Sequence, residues 1–152
     1  MTTKAHVAVD GEGRPLAVLL TGGQVHDSPM LPAILAAIRV ARLGPGRPRT
    51  RPESVIADKA YSARRHRDAL RTRQIKTVIP EKTDQIDNRR NRGSGGGRPP
   101  SFDPIAYRGR NVVERGFNQL KHWRGIATRY DKHAQTYRAG LILSAITIWL
   151  RH

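Results

Sequence analysis

Apolar positions first recur in two short runs, residues 4–10 (Lys-Ala-His-Val-Ala-Val-Asp) and 16–20 (Leu-Ala-Val-Leu-Leu), whose composition favours strands. Between them Asp10-Gly11-Glu12-Gly13 supplies an Asp-Gly turn, so the pattern predicts an antiparallel hairpin. The period then changes. Gly22-Gly23 breaks the run, Asp27 or Ser28 can cap a helix with Pro29 just inside it, and Leu31, Ile34, Leu35 and Ile38 recur on one helical face. Residues 44–53, rich in Gly, Pro and Arg, sustain neither period and read as a basic linker loop. Ser-Val-Ile-Ala-Asp at 54–58 predicts a strand ending in a carboxylate. Residues 63–73 predict an arginine-rich helix anchored by Leu70, and residues 76–80 a second buried strand. Strands alternating with helices imply an α/β domain after the opening hairpin. Residues 81–102, dense in glycine and positive charge, read as a flexible basic loop suited to a nucleic-acid backbone or to plain disorder.

The last third predicts helices. Asp103 followed by Pro104 is a start signal for one helix over 103–121, because the Asp oxygen accepts free backbone N–H groups and the proline φ suits the first turn. At about 100° per residue, Tyr107, Arg110 and Lys121 all fall within roughly 40° of Glu114, and Val113, Phe117 and Leu120 form an apolar seam alongside. Gly125 ends or bends that helix. Residues 135–151 are apolar on nearly every face and predict a helix buried under the sheet, with Trp123 and Tyr130 packed against it in preference to stacking on a base.

Composition narrows the partners. In 152 residues, enough for a single domain spanning 1–152, the formal net charge is +16 and the pI near 11.5. Such an excess gains free energy by releasing counterions from a polyphosphate, which makes nucleic acid the first partner to consider. There is no cysteine, which excludes disulfides and thiolate metal sites. The start of the chain lacks an apolar signal region, and the apolar run 139–150 is too short for a membrane span, so a cytoplasmic protein with no membrane role is expected. His6, His26, His66, His122, His133 and the terminal His152 form no recognisable metal pattern.

Tyr107, Arg110, Glu114 and Lys121, with the surrounding text Asn-Val-Val-Glu-Arg-Gly-Phe-Asn-Gln-Leu-Lys-His-Trp-Arg-Gly, resemble the YREK signature of bacterial DDE-class insertion-sequence transposases, specifically family five within the family-four group. Val-Ile-Ala-Asp-Lys-Ala-Tyr likewise resembles the text around that family's second aspartate, here Asp58. The resemblance covers nearly the whole chain but only the later part of a transposase. It implies a ribonuclease-H-like α/β fold, a mixed sheet flanked by helices, here lacking its first strand. It also implies that Asp58 and Glu114 are two of three catalytic, metal-holding carboxylates, with two Mg²⁺ or Mn²⁺ ions in the complete site. Tyr107, Arg110 and Lys121 would contact DNA phosphate. Double-stranded DNA, a homodimer on it, and an upstream transposase segment supplying the first aspartate are the implied partners. By the resemblance that first aspartate lies on the opening strand, upstream of a segment similar to this chain's start, so Asp10 is not it, and its place before Gly11 makes it a turn former. Without the resemblance, Asp58 would cap the following helix or pair with Lys59 or Arg64, and Glu114 would pair with Arg110 across one helical turn. A metal-dependent transposase domain and a non-catalytic DNA-binding remnant therefore both remain open.

Overall fold

The computed structural model describes residues 2–131 and 133–151; Met1, Lys132 and His152, the last of the isolated histidines, lie outside the described residues. In chain order the elements are β1 (Thr3–Val9), β2 (Pro15–Gly22), α1 (Leu31–Ala37), β3 (Ser54–Ile56), α2 (Arg64–Thr72) and β4 (Lys76–Val78). Then follow α3 (Thr83–Asn91), α4 (Pro104–Arg108), α5 (Asn111–Lys121), α6 (Arg124–Thr128) and α7 (Ala134–Trp149). This is a mixed α/β arrangement of small sheets flanked by helices. It divides into two compact units, residues 1–50 with 111–152, and residues 51–110.

The first unit is built on the hairpin. β1 pairs antiparallel with β2, Val7 facing Val18, and the register slips between Ala8 and Val9. Asp10 makes the turn as expected: its Oδ1 accepts the amides of Glu12 and Arg14, each at 2.9 Å, and its Oδ2 accepts Arg14 Nε at 2.7 Å. Leu31, Ile34, Leu35 and Ile38 are all buried, as the periodicity predicts. Asp27 precedes a short 3₁₀ turn at Ser28–Met30 but makes no side-chain cap. Its carboxylate instead meets Lys4 Nζ at 3.0 Å and His6 Nδ1 at 3.3 Å. A lysine and a histidine outcompete the backbone amides for it.

The core of this unit is Leu120, Ile126, Tyr137, Leu141 and Ile148, with Ala5, Val7, Val18 and Leu20 of the hairpin packed against them. α7 is therefore not buried all round. Tyr137, Leu141, Ser144 and Ile148 form its one buried face, while Ile142, Leu143, Ile146, Trp149 and Leu150 remain exposed. Its covered face is the one that packs with α5, α6 and the hairpin residues Ala5, Val7, Val18 and Leu20. Trp123 and Tyr130 are exposed as well, contrary to the packing expected of them. α5 ends at Lys121, and Gly125 lies inside α6.

In the second unit β3 and β4 pair in parallel, Ile56 facing Val78, with α2 as the crossover of a βαβ unit. Leu70, Ile75, Val78 and Ile79 are its buried apolar residues. Arg67 donates from Nη2 to the Ile79 carbonyl at 2.8 Å and from Nε to the Ser62 carbonyl at 3.3 Å, which ties α2 to the end of β4. Residues 81–102, expected as a flexible loop, instead contain α3 and a 3₁₀ turn at Gly93–Gly96. Periodicity cannot reveal α3, since Ile86 is its one large apolar side chain. A bidentate pair between Glu81 and Arg89, with one contact at 2.8 Å, braces it. Residues 44–53 form no helix or strand, their one ladder contact being the bridge of Arg49 to Val40.

Among the described residues each unit buries one histidine. His6 and His66 both have pKa values held below the ordinary 6.5, chiefly by burial; Asp27 opposes and Lys4 reinforces the shift at His6, and Arg65 reinforces it at His66. A depressed histidine pKa means the unfolded chain takes up protons first, so stability is full above about 6.5 and declines as pH falls through the folded pKa values. Thermal midpoints should fall on acidification from neutrality toward pH 5, before the carboxylates titrate. His66→Gln should flatten that decline, and an equal slope in wild type and variant would exclude His66 as a source.

Candidate functional site

Asp58 follows β3 by two residues and is the N-cap position of a 3₁₀ turn over Lys59–Tyr61. It is exposed and makes no side-chain cap. Neither competing role read from the sequence is realised in these contacts, since Arg64 pairs with Asp68 at 3.6 Å and no ion pair of Asp58 occurs among the described residues. The carboxylate stands at the carboxyl end of a parallel strand, where α/β sheets present side chains to ligands.

α4 is fastened to the same small sheet at both ends. Asp103 caps it by accepting the Ala106 amide at 2.9 Å and also binds Lys76 Nζ, the first residue of β4, at 3.0 Å. The amide bond and then the lysine hold the Asp103 carboxyl below the usual carboxylate range. At the other end a Cβ on Gly109 would meet Ile56 Cδ1 at 3.7 Å, so the chain after α4 passes directly over β3. Tyr107 and Arg110 are thereby carried beside the strand that leads into Asp58, both of them half-buried. Phe102 lies against the Tyr107 ring with centroids 5.3 Å apart at 60°, which restricts the ring.

The single helix expected over 103–121 is broken. The amides of Gly109 and Arg110 bond three residues back, to Ala106 and Tyr107, and α5 starts afresh at Asn111. Gly109 is the weak point, because glycine loses the most backbone freedom in a helix. The four-residue stripe is thus divided: Tyr107 and Arg110 belong to the second unit, Glu114 and Lys121 to the first.

On α5, Glu114 and Lys121 are exposed and Gly116 and Leu120 are buried. Gly116 and Leu120 lie at roughly 200° and 240° from Glu114, so the docked face is opposite to it. The seam is therefore Gly116 and Leu120, with Val112 against Gly13, instead of Val113, Phe117 and Leu120. The reason is close contact: a Cβ on Gly116 would lie 3.0 Å from both the Gly13 carbonyl oxygen and Val9 Cγ1. Sequence reading missed Gly116 because a small residue adds nothing to an apolar count. Among the described residues no group of three or more His, Asp or Glu side chains is placed to hold a metal ion, and no helix is long and apolar enough to cross a membrane.

A family model described as a transposase DDE domain matches residues 1–150. Two curated relatives match along nearly the whole chain. One, from Burkholderia cepacia, carries the name of a transposase for insertion sequence element IS402 and is 37% identical over 146 residues, which are 96% of this chain and 62% of the relative. The other, from Brucella ovis, carries the name of a transposase for insertion sequence element IS6501 and is 34% identical over 151 residues, 99% of this chain and 100% of the relative. The chain thus spans under two thirds of the first relative and all of the second. No solved structure matches it significantly.

Proposed function

The chain belongs to the DDE transposase family, and from that premise we propose that it is the later part of a ribonuclease-H-like catalytic domain that cuts and joins DNA, completed by an upstream strand carrying the first aspartate. The observation that supports this most is Asp58: an uncapped carboxylate at the end of a parallel strand, beside a segment bearing Tyr107 and Arg110. The YREK signature and placement in insertion-sequence family five belong to the same reading.

Family membership implies dependence on a divalent metal, and the donors fit one. Asp58 and Glu114 offer only oxygen, both are exposed, and a hard ion such as Mg²⁺ is held by one or two carboxylates together with water and substrate phosphate. Asp58 and Glu114 would hold it, with the upstream aspartate as third ligand in a two-metal site. When bound, the metal supplies charge stabilisation for the attacking and leaving oxygens of a phosphoryl displacement. The protein's own part is positioning. Arg110 offers a planar fork to a phosphate, Lys121 a point charge, and Tyr107 a hydroxyl donor on a ring restrained by Phe102. Each would contact DNA phosphate near the scissile bond.

A second reading has an observation of its own. No set of three metal-holding side chains occurs among the described residues, which favours a DNA-binding remnant without chemistry. Plasmid cleavage in Mg²⁺ or Mn²⁺ separates the two. Cutting by the chain extended through its upstream codons, but not by the chain alone, would support the catalytic half; binding without cutting in both would leave only the remnant. DNA affinity itself should fall by roughly 10³-fold or more between low and physiological salt if six or more phosphates are neutralised. Lys121→Ala should reduce the logarithmic salt slope by about one. An affinity insensitive to salt would remove the charge argument.

A further inference from the structure

We propose that Arg67 is the positioning residue of Asp58, holding the turn that presents this carboxylate; the inference rests on the catalytic reading for its chemical consequence, and on the geometry of the second unit for the rest. The backbone on both sides of Asp58 is anchored to one short stretch, residues 78–80, at the end of β4. Before Asp58, the Ala57 amide donates to the Val78 carbonyl at 3.3 Å. After it, the 3₁₀ turn is closed by the Tyr61 amide on the Asp58 carbonyl at 2.9 Å and by the Ser62 amide on the Lys59 carbonyl at 3.1 Å. Arg67 carries the far end of that turn to β4. Its Nε donates to the Ser62 carbonyl at 3.3 Å, and its Nη2 donates to the Ile79 carbonyl at 2.8 Å and the Pro80 carbonyl at 3.4 Å.

The neighbours of this bridge show what it is for. Ser62 is buried and its hydroxyl has no partner among the described residues, so outside the turn's own bonds the hold on Ser62 passes through its carbonyl. Asp58 makes no side-chain cap, which leaves its carboxylate free while the backbone that bears it is fixed. Other arginines of α2 behave differently: Arg64 and Arg71 are exposed and pair with Asp68. Arg67 instead turns its guanidinium onto main-chain carbonyls of two segments. Burial lowers its pKa and Glu81 opposes that shift, so a charge is kept in a partly desolvated place where an apolar side chain would pack more cheaply. A planar fork can reach both segments at once, whereas the point charge of a lysine serves one or the other.

Amide hydrogen exchange on the chain itself, without metal or DNA, is the first test. Arg67→Lys keeps the charge and gives up the fork, and should speed exchange at Tyr61 and Ser62 severalfold while amides in the middle of α2 keep their protection. Arg71→Lys, the same substitution on the exposed face of α2, should change neither. The second test is single-turnover cleavage by the chain extended upstream. Arg67→Lys should slow it by about 10–100-fold, the loss that follows when a reacting group is displaced by about 1 Å. DNA affinity, governed by charge that the substitution keeps, should stay within about twofold. The loss should shrink as Mn²⁺ is raised, which a loss of folded protein would not do. Arg67→Met should lose more than Arg67→Lys in both tests; if it does not fold, Arg67→Lys decides. Unchanged exchange at Tyr61 and Ser62 would overturn the proposal. Faster exchange with wild-type cleavage would make Arg67 a structural staple only and overturn it equally. An extended wild type that cuts nothing would fail the catalytic reading instead, and the exchange result alone would then uphold or overturn the hold of Arg67 on the turn.

Discussion

Glu114→Gln, in the chain extended upstream to include the first aspartate, is expected to lose strand cleavage by more than the roughly 10–100-fold that removing an outer-shell partner of a metal ligand costs. DNA affinity should stay within about twofold or rise, because the substitution removes a negative charge from a surface proposed to face phosphate. Folding should be unaffected. Glu114 is exposed on the side of α5 opposite Gly116 and Leu120, and glutamine keeps its length and helix propensity. Asp58→Asn should produce the same division between lost cutting and retained binding, since Asp58 caps nothing. If Glu114 served only as a surface ion-pair partner, its removal would cost a few tenths of a kcal/mol and leave cleavage intact. Single-turnover cleavage beside a binding isotherm distinguishes these results, and normal cutting by Glu114→Gln would end the catalytic assignment.

The largest effect on stability is expected at Gly116. A valine there would drive its side chain against the Gly13 carbonyl and Val9, from which even a bare Cβ would lie only 3.0 Å away. Overpacking of this kind costs about 1–3 kcal/mol, and the atom in the way belongs to the backbone of a turn locked by Asp10. Alanine should be milder, because its gain in helix propensity over glycine, about 1 kcal/mol, offsets part of the clash. Gly140→Ala is the internal comparison. It sits inside α7 with nothing within 4 Å of an added Cβ, so the same propensity gain should appear undiminished. Urea midpoints ordered Gly140→Ala, wild type, Gly116→Ala, Gly116→Val are expected; a Gly116→Val midpoint equal to wild type would show that the turn yields.

The sequence announces elements whose signal is local. The hairpin, α1 and the buried strand at Val78 are legible because alternation, one-face periodicity and an Asp-Gly turn each need only neighbouring residues. α3 is not, since it is a polar helix braced by the Glu81–Arg89 pair across eight positions. The break after Arg108 is not either, because one glycine inside a helical pattern does not announce whether it will interrupt the helix. At the candidate site, the spaced motif and the strand before Asp58 nominate residues from the sequence alone. Their supports were not legible: Asp103 on Lys76, Phe102 on Tyr107 and Gly116 on Gly13 all depend on the folded neighbourhood. The exposed side of α7 was missed for the same reason, as hydropathy reports that a helix is apolar but not how much of it finds a partner.

The division of the chain also dictates an order of events at the ribosome. Residues 51–110 are contiguous, so β3, α2, β4, α3 and α4 can assemble as soon as they emerge. The other unit is discontinuous. Its hairpin leaves the ribosome before residues 51–110, yet Leu120, Tyr137, Leu141 and Ile148, against which the hairpin packs, emerge only after them. Trp149 reaches back 134 positions to the Pro15 carbonyl, which makes this latch one of the final contacts to close. Until those residues emerge, Val7, Val18 and Leu20 stand uncovered on a nascent hairpin. The hairpin is therefore made well before its cover, and the interval in which it can pair wrongly is set by the time needed to translate the residues between them.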